Sequence, residues 1–328
     1  MAIKILIIKP SSFGDIIQAN PVLQAVKTQW QDARIDWLVF KRWQQVVELF
    51  ENVSNIKVWD RDGGIKAFLK ILRECRKEKY DIVIDLQGLL RTALFARLLN
   101  AKQKIGVSGM KELSWIFIRE PYLRDLKENA VLRNLKSLTY ITGKDYQVEF
   151  KIKNLNLSDE FYALFARYGL KEKDRIVSFV PFSRGKTKSW HADNYIELAN
   201  NIKQNGKDIK ILVLGSSGDY GKIKSELIID LCGKTSMAML SYILRKSICA
   251  VGADTGAMHL ANALGTKSAF IFGGSDINET APFGDNCAVL NANLPCSPCR
   301  GKCKFNVEKC LEKIKPEQVI ETIKEWIK

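Results

Sequence analysis

The stretch Lys4–Ile17, which reads KILIIKPSSFGDII, contains the unit that decides the fold. Lys4–Lys9 is a short run rich in isoleucine, and its length and content predict a buried strand. A small polar loop follows, and from Ile16 to Trp30 apolar residues recur with the period of a helix. A strand that leads through a tight loop into a helix is the first part of a β-α-β unit.

The same alternation continues to the end of the chain. Further apolar runs predict buried strands at Ile35–Phe40, Asp81–Leu86, Arg175–Pro181, Ile209–Gly215, Ile248–Gly252 and Ser268–Gly273. Helical patterns occur at Pro21–Trp30, Ile65–Lys79, Asn194–Gln204, Gly221–Leu231, Thr235–Arg245, Met258–Leu264 and Pro316–Lys328. Alternating strands and helices predict an α/β fold in which helices cover parallel sheets on both faces.

Length and composition favour two globular domains. The chain has 328 residues, of which 46% are hydrophobic and 27% charged, and this composition excludes disordered, collagen-like and coiled-coil classes. The polar stretch Lys151–Ser158 is the expected linker, so we predict domains at residues 1–155 and 156–328.

The sequence also bears on cellular location. No run of about 18 uncharged apolar residues occurs, and the N-terminal apolar stretch is too short for a signal peptide. We therefore expect a cytoplasmic protein whose eight cysteines are thiols or metal ligands rather than disulfides.

Positive charge is concentrated in the N-terminal half. The net charge is +15, and residues 1–155 hold 27 Lys and Arg against 17 Asp and Glu. Such a balance indicates an anionic partner, which is nucleic acid, a membrane surface or a phosphorylated substrate. Lys66, Lys70 and Arg73 share one face of a predicted helix, where they form either a solvated surface or an anion-binding one. No nucleic-acid-binding motif accompanies the charge, so nucleic acid is not the expected partner.

The loops after predicted strands are the candidate ligand sites, because ligands of such folds bind beyond the carboxyl ends of strands. The loop after the first strand lacks both GxGxxG and the Gly-Lys-Ser/Thr of a P-loop. It places the carboxylate of Asp15 at a helix start. Capping of that helix is the simpler interpretation of this fragment, and a role toward ligand is the alternative.

Loops of the C-terminal half have the composition of a phosphate or nucleotide site. Gly252–His259 (GADTGAMH) follows a strand and opens a helix, so its free amides are suited to a phosphate or diphosphate. Ser183–Trp190 (SRGKTKSW) follows another strand and carries three cations that could neutralise a leaving diphosphate, but a solvated loop is the simpler interpretation. Gly215–Asp219 (GSSGD) is a candidate turn toward a nucleotide.

Four of the eight cysteines are clustered near the C-terminus, at Cys296, Cys299, Cys303 and Cys310. Thiols this close in sequence are candidate ligands of a structural Zn²⁺ or iron, but their spacing matches no standard zinc ribbon. Structural thiols without metal are the alternative.

Four motifs resemble one known family, and they occur in its order over essentially the whole chain. They are KPSSFGDII at Lys9–Ile17, DLQGLLRTAL at Asp85–Leu94, KSW at Lys188–Trp190 and DTGAMHLANALG at Asp254–Gly265. They resemble the bacterial lipopolysaccharide heptosyltransferases of glycosyltransferase family 9, and K-x-S-S-x-G-D is most similar to the heptosyltransferase I branch. The last motif is the most specific.

The resemblance implies a GT-B fold, in which two Rossmann-like domains with parallel sheets face each other across a cleft. The N-terminal domain would bind the acceptor and the C-terminal domain the nucleotide sugar. The implied reaction is inverting transfer of heptose from ADP-L-glycero-D-manno-heptose to Kdo of the lipid A inner core, without a cofactor in catalysis. It would take place at the cytoplasmic face of the inner membrane.

The resemblance also assigns roles to residues. Asp15 is similar to the general base, and Lys188 to the lysine at the donor diphosphate. The remaining donor-site residues would be Ser11, Ser12, Asp219, Asp254, Thr255, Gly256 and His259. The acceptor would meet Gln87 and the basic residues Lys66, Lys70 and Arg73. One branch of the family holds iron with four cysteines, which would make the C-terminal cluster a structural site.

Two alternatives remain open at this point. Within the family, the chain would be heptosyltransferase II or a transferase for another nucleotide sugar. Outside the enzymes, it would be a basic protein that binds anionic lipid or RNA.

Overall fold

The computed structural model describes residues 2–119, 128–155, 159–183, 185–206, 208–299, 302–305 and 309–328. The chain divides into two compact units, residues 1–153 and 154–328, so the division lies two residues before the predicted boundary. The last three residues of the predicted linker, 156–158, are outside the described residues. No described helix has the length and apolar character needed to span a membrane.

The N-terminal unit contains a five-stranded parallel sheet in the order β3-β2-β1-β4-β5. Its strands are β1 Lys4–Ile8, β2 Arg34–Phe40, β3 Asn55–Trp59, β4 Tyr80–Asp85 and β5 Ala101–Gly106. Its helices are α1 Phe13–Ala19, α2 Pro21–Gln29, α3 Gln44–Glu48, α4 Gly64–Arg76, α5 Leu90–Leu98 and α6 Ala130–Thr142. Three of these strands, β1, β2 and β4, were predicted.

Two details of this unit differ from the prediction. The helical pattern from Ile16 to Trp30 is two helices, because Pro21 has no amide to extend the first one and instead opens α2. Strands β3 and β5 were missed. Both are edge strands, and polar residues interrupt their apolar pattern, Lys57 in β3 and Lys102 and Gln103 in β5.

The C-terminal unit contains a six-stranded parallel sheet in the order β11-β10-β9-β6-β7-β8. Its strands are β6 Ile176–Val180, β7 Lys210–Val213, β8 Ile228–Asp230, β9 Cys249–Ala253, β10 Ser268–Phe272 and β11 Cys287–Asn291. Its helices are α7 Asp159–Arg167, α8 Ala192–Asn205, α9 Met237–Lys246, α10 Gly256–Ala263, α11 Ile277–Thr280, α12 Lys309–Glu312 and α13 Pro316–Ile327.

The helix predicted over 221–231 is wrong. The segment consists of turns that lead into β8. Gly221 has a φ of 76°, which a right-handed helix does not allow, and its amide donates to Asp230 Oδ2 at 2.7 Å. A second amide, from Cys232, donates to Asp230 Oδ1 at 2.9 Å, so this one carboxylate holds the turn and the strand together.

In both sheets the strand order reverses near the centre, at a topological switch point. This point positions the candidate sites. Strand β1 lies between β2 and β4, and strand β6 lies between β7 and β9. At such a switch point the two flanking connections leave on opposite faces and open a crevice beyond the carboxyl ends of the central strands. The loops after β1 and β4, and those after β6 and β9, therefore border the expected ligand sites.

Candidate functional site

In the N-terminal unit, the loops after β1 and β4 are joined by hydrogen bonds. Ile8 pairs with Asp85 in the sheet, so both strands end at the same level. Asp85 Oδ1 accepts from the amides of Gln87 at 2.9 Å and Gly88 at 3.3 Å, which shapes the turn after β4. Gln87 Oε1 in turn accepts from the Ser11 amide at 3.3 Å. The structure thus brings the predicted residues Ser11 and Gln87 together.

Asp15 caps helix α1. The amide and hydroxyl of Ser12 both donate to Asp15 Oδ2, at 3.0 Å and 2.5 Å, and complete a capping box. Asp15 therefore caps its helix, as the simpler interpretation of the sequence predicts. The carboxylate is nevertheless exposed at the carboxyl end of the central strand, which leaves it open to a ligand.

Two buried charged groups beneath this loop were not predicted as site residues. Lys9 is 8% exposed and its ammonium donates to the Leu86 carbonyl at 2.6 Å. Burial lowers the pKa of Lys9, and the negative charge of Asp15 opposes that effect. Asp85 is completely buried, and burial raises its pKa to about 6. Asp85 Oδ2 has no hydrogen-bond partner in the described part of the chain.

In the C-terminal unit, one buried carboxylate collects three partners. Asp254 follows β9, and its Oδ2 accepts from Lys188 Nζ at 2.8 Å and from Ser275 Oγ at 2.6 Å. Its Oδ1 lies 3.1 Å from His259 Nε2, which is the donor when the carboxylate is ionised. The structure therefore brings together Lys188, Asp254 and His259 as predicted, and adds Ser275.

The charge state of Asp254 follows from these partners. Burial by itself raises the pKa of this carboxyl, but the hydrogen bond and charge of His259 together with the Lys188 ammonium outweigh burial. The pKa of Asp254 is consequently held well below its usual range. The group is therefore ionised at neutral pH, and the carboxylate holds Lys188 and His259 in place.

The helix after Asp254 begins as the sequence predicts. Thr255 is the N-cap of α10 and Gly256 is its first residue. Amides of the first helical turn have no partner within the helix, and they attract phosphate oxygens. Lys188 and the start of α10 therefore present one cation and a set of amides on the two loops nearest the switch point.

Close packing of glycines holds the Lys188 loop against β10. The Gly274 amide donates to the Thr187 carbonyl at 2.9 Å. A Cβ on Gly273 would overlap that same carbonyl oxygen, so only glycine permits the approach. Neither Thr187 nor Gly273 was assigned to the predicted site, because their contact depends on the position of β10.

Asp219 lies on a second capping box. The amide and hydroxyl of Ser216 donate to Asp219 Oδ2 at 3.0 Å and 2.5 Å, and Lys222 Nζ lies 2.6 Å from Oδ1. Burial alone would raise the pKa of Asp219, but its hydrogen bonds to Lys222 and Ser216 have the larger, opposite effect. The pKa of Asp219 is therefore lowered. The residue follows β7, on the other side of β6 from the Asp254 loop.

The basic residues predicted for the acceptor lie on the exposed face of α4. Lys66, Lys70 and Arg73 are solvent-exposed, while Ile71 and Leu72 on the opposite face are buried as predicted. Within the described residues, no hydrogen bond or ion pair joins these three cations to the Ser11–Asp15 loop. They form a separate surface of the N-terminal unit.

The four clustered cysteines line one cavity of about 370 Å³, together with Gly274, Lys302 and Lys309. Burial raises the pKa of Cys310, and any negative charge on Cys299 or Cys296 raises it further. No three Cys, His, Asp or Glu side chains are grouped as metal ligands in the described ranges of the chain. The prediction of a metal site stays a prediction.

Comparison with protein families adds an independent observation. The model of glycosyltransferase family 9 (heptosyltransferase) matches residues 68–309, which is most of the chain. The chain belongs to this family. As a family 9 glycosyltransferase it is an enzyme, and the matched residues include Gln87, Lys188, Asp254 and His259.

Individual relatives match this glycosyltransferase almost from end to end. Lipooligosaccharide heptosyltransferase 2 of Campylobacter jejuni is 25% identical and covers 99% of this chain and 98% of its own length. Lipopolysaccharide heptosyltransferase 1 of Pseudomonas aeruginosa is 25% identical over 91% of this chain and 86% of that protein. The solved structure of Escherichia coli ADP-heptose lipopolysaccharide heptosyltransferase II superimposes with a TM-score of 0.81 at 19% identity, covering 99% and 98% of the chains. The predicted GT-B type of α/β fold is confirmed.

Proposed function

We propose that this family 9 glycosyltransferase moves heptose from ADP-L-glycero-D-manno-heptose to a Kdo sugar of the lipid A inner core, in lipopolysaccharide core biosynthesis. The observation that carries the proposal is the Asp254 cluster, which holds Lys188 beside the start of α10. A cation and helix amides at a switch point suit the diphosphate of a nucleotide sugar. Relatives named for heptosyl transfer to lipopolysaccharide and lipooligosaccharide support the sugar and the pathway.

The proposed chemistry is a single displacement with inversion. Asp15 takes the proton of the acceptor hydroxyl, and the oxygen attacks the anomeric carbon of heptose. The bond from that carbon to the β-phosphate oxygen breaks, and its electron pair leaves on ADP. Because a carboxylate with an ordinary pKa near 4 is a weak base, positioning by the capping box contributes much of the effect.

Negative charge that develops on ADP is stabilised by groups fixed before the reaction. Lys188 is held by Asp254, and the amides of Thr255 and Gly256 belong to the start of α10. These groups supply the positive potential that a metal ion provides in other transferases, so the proposed catalysis requires no cofactor. Asp219 and His259 complete the donor site in this proposal, with Asp219 toward the ribose.

The identity of the acceptor distinguishes heptosyltransferase I from heptosyltransferase II. The K-x-S-S-x-G-D motif favours heptosyltransferase I, while relatives named 1 and 2 are equally similar at 25% identity. ADP release from ADP-heptose tests the choice, with Kdo₂-lipid A and its mono-heptosylated form as parallel acceptors. Turnover with Kdo₂-lipid A alone supports the proposal. Turnover with the heptosylated acceptor alone would assign heptosyltransferase II, and release with neither would overturn the proposed substrates.

We also propose that the enzyme works at the cytoplasmic face of the inner membrane, because its proposed acceptor is a lipid. The N-terminal basic surface with Lys66, Lys70 and Arg73 would face acceptor phosphates and carboxylates. The rival, a basic protein that binds lipid or RNA without catalysis, predicts no ADP release at any acceptor concentration.

For the C-terminal cysteines we propose a structural Zn²⁺ or iron. Four thiols on one cavity support it, and the described arrangement requires them to draw closer to act as ligands. Metal analysis of protein purified without chelators tests the proposal, with a Cys296→Ser, Cys310→Ser double variant as control. About one metal per chain, lost in the variant, supports it, and less than about 0.1 per chain overturns it.

A further inference from the structure

Helix α5 exposes an apolar stripe to solvent. Leu90, Leu94 and Leu98 are 42%, 36% and 39% exposed, and a spacing of four places them on one face. The opposite face, with Phe95 and Ala96, is buried against the sheet. An outward leucine stripe on a helix that already has a buried face is not required by the fold.

The neighbouring segment, residues 111–116, extends this leucine stripe. Leu113, Trp115 and Ile116 are 57%, 48% and 69% exposed. The segment is fastened to the start of α5, because Ser114 Oγ donates to the Gly88 carbonyl at 3.1 Å and the Leu90 amide donates to Glu112 at 3.2 Å.

These six residues form one surface, which we call the α5 patch. Its members are the exposed apolar residues Leu90, Leu94, Leu98, Leu113, Trp115 and Ile116. Helix α4 lies alongside, since the rings of Phe68 and Phe95 meet at 5.7 Å, and α4 adds the exposed Ile65 and Leu69.

Cations surround the α5 patch. Arg91 and Arg97 are exposed on α5, and Lys111 is exposed at the start of the neighbouring segment. Lys104 donates to the Arg97 carbonyl at 2.8 Å, and its pKa is lowered by burial and by the positive charges of Arg97 and Arg76. Across the described residues, none of these five cations forms an ion pair within the chain, so their positive charge is not neutralised by a neighbouring carboxylate.

We propose that the α5 patch is a docking surface for an anionic lipid bilayer. Leucine, isoleucine and tryptophan side chains would enter the interface between headgroups and acyl chains, and the surrounding cations would meet anionic headgroups. Nucleic acid would use the cations but not the aliphatic stripe, and a second copy of this chain would bring the same cations together in repulsion. The combination therefore fits a bilayer best. This inference rests on the proposed function for its use, because a lipid acceptor is reached only at a membrane.

Vesicle binding tests the proposal directly. The full chain is floated with phosphatidylcholine vesicles and with vesicles containing about one-third phosphatidylglycerol. We expect binding to the anionic vesicles. A Leu94→Ser, Ile116→Ser variant should lose about tenfold in affinity because its apolar contacts are removed. An Arg97→Gln, Lys111→Gln variant should lose the preference for anionic vesicles.

The matched control removes exposed apolar side chains from elsewhere. Tyr162 and Val289 in the C-terminal unit are 52% and 39% exposed, so a Tyr162→Ser, Val289→Ser variant should bind vesicles like the wild type. Equal binding by the α5 patch variant and the wild type overturns the proposal. The proposal is also overturned if light scattering shows a dimer that the α5 patch variant no longer forms. Binding of a single-stranded RNA in preference to vesicles would overturn it as well.

A soluble acceptor separates this proposal from the proposed function. With a Kdo sugar that lacks acyl chains, the Leu94→Ser, Ile116→Ser variant should release ADP at the wild-type rate. If neither protein releases ADP with any acceptor while the wild type still binds anionic vesicles, the proposed function fails and the docking surface stands. A patch variant that loses turnover on the soluble acceptor overturns the docking role.

Discussion

The ammonium of Lys188 lies 2.8 Å from Asp254 Oδ2, although 66 residues separate the two in the chain. They meet because Lys188 follows β6 and Asp254 follows β9, and these strands are neighbours in the sheet. Ser275, after β10, donates to the same oxygen. Three adjacent strand ends thus converge on one carboxylate, and the fold itself orients the cation proposed for the donor diphosphate.

Removal of this cation should weaken donor binding and turnover together. We predict that Lys188→Met raises the KM for ADP-heptose and lowers kcat, each by about tenfold or more, because a charge that stabilises leaving ADP is lost. Steady-state ADP release measures both. Lys246→Met removes an exposed ion pair with Glu172 in the same unit and serves as control. Equal losses in the two variants would contradict the special position of Lys188.

Asp254 should contribute stability with a defined pH dependence. A carboxyl whose pKa is lowered on folding stabilises above its unfolded pKa, near 4, and that contribution is lost as pH falls further. We predict that Asp254→Asn lowers the unfolding free energy by about 3 kcal/mol at neutral pH and by progressively less below pH about 4. Urea unfolding measures this. The exposed pair of His191 and Asp193 provides the control, and Asp193→Asn should change little. A constant difference across pH would contradict the account.

Asp85 should show the opposite dependence. Its folded pKa of about 6 is above the unfolded value, so its protonated form is favoured by folding, and wild-type stability falls as pH rises from about 4 to 6. We predict that Asp85→Asn is more stable than the wild type above pH 6, by an amount on the order of 2 kcal/mol. Asp81→Asn is the contrasting control. The Lys102 ion pair lowers the pKa of Asp81, so this variant should lose stability near neutral pH. A stability difference between Asp85→Asn and the wild type that does not change with pH would be inconsistent with a buried ionisable group at this position.

The glycine contact under the Lys188 loop should be needed for donor binding. We predict that Gly273→Ala displaces the Thr187 carbonyl and raises the dissociation constant for ADP by about tenfold, because Lys188 shifts with the loop. Gly185→Ala, in the same loop as Lys188, is the matched control, since a Cβ there meets no atom closer than 3.9 Å. Calorimetric titration with ADP compares them. Unchanged ADP affinity in Gly273→Ala would show that the loop position is not important.

Much of the fold could be predicted because the central strands of both sheets are continuous apolar runs. Residues Ile5–Ile8 of β1 and all five residues of β9 are buried, and such a run can be recognised from the sequence alone. Edge strands such as β3 and β11 contain exposed and partly exposed positions, so their pattern was not recognised. The helix expected over 221–231 failed because the positive φ of Gly221 and the bonds of Asp230 are tertiary features.

Site residues that lie within a sequence motif could be predicted. Site residues that come together only through the order of strands in the sheet could not. Asp15, Lys188, Asp254 and His259 lie in motifs that resemble those of the family. Ser275 and Thr187 come from loops whose meeting depends on strand order. Lys9 at the end of an apolar strand has the pattern of a solvated lysine, yet it is buried under the Asp15 loop.

The most direct test of the central claim compares Asp15 with Asp219, since each carboxylate accepts from a serine three residues earlier in the same geometry. ADP release and donor affinity are measured for Asp15→Asn and Asp219→Asn with ADP-heptose and Kdo₂-lipid A. We predict that Asp15→Asn lowers kcat by about a hundredfold or more while donor affinity stays within about twofold. Asp219→Asn should weaken donor affinity and leave kcat nearly unchanged. Near-normal kcat in Asp15→Asn would contradict its assignment as the general base.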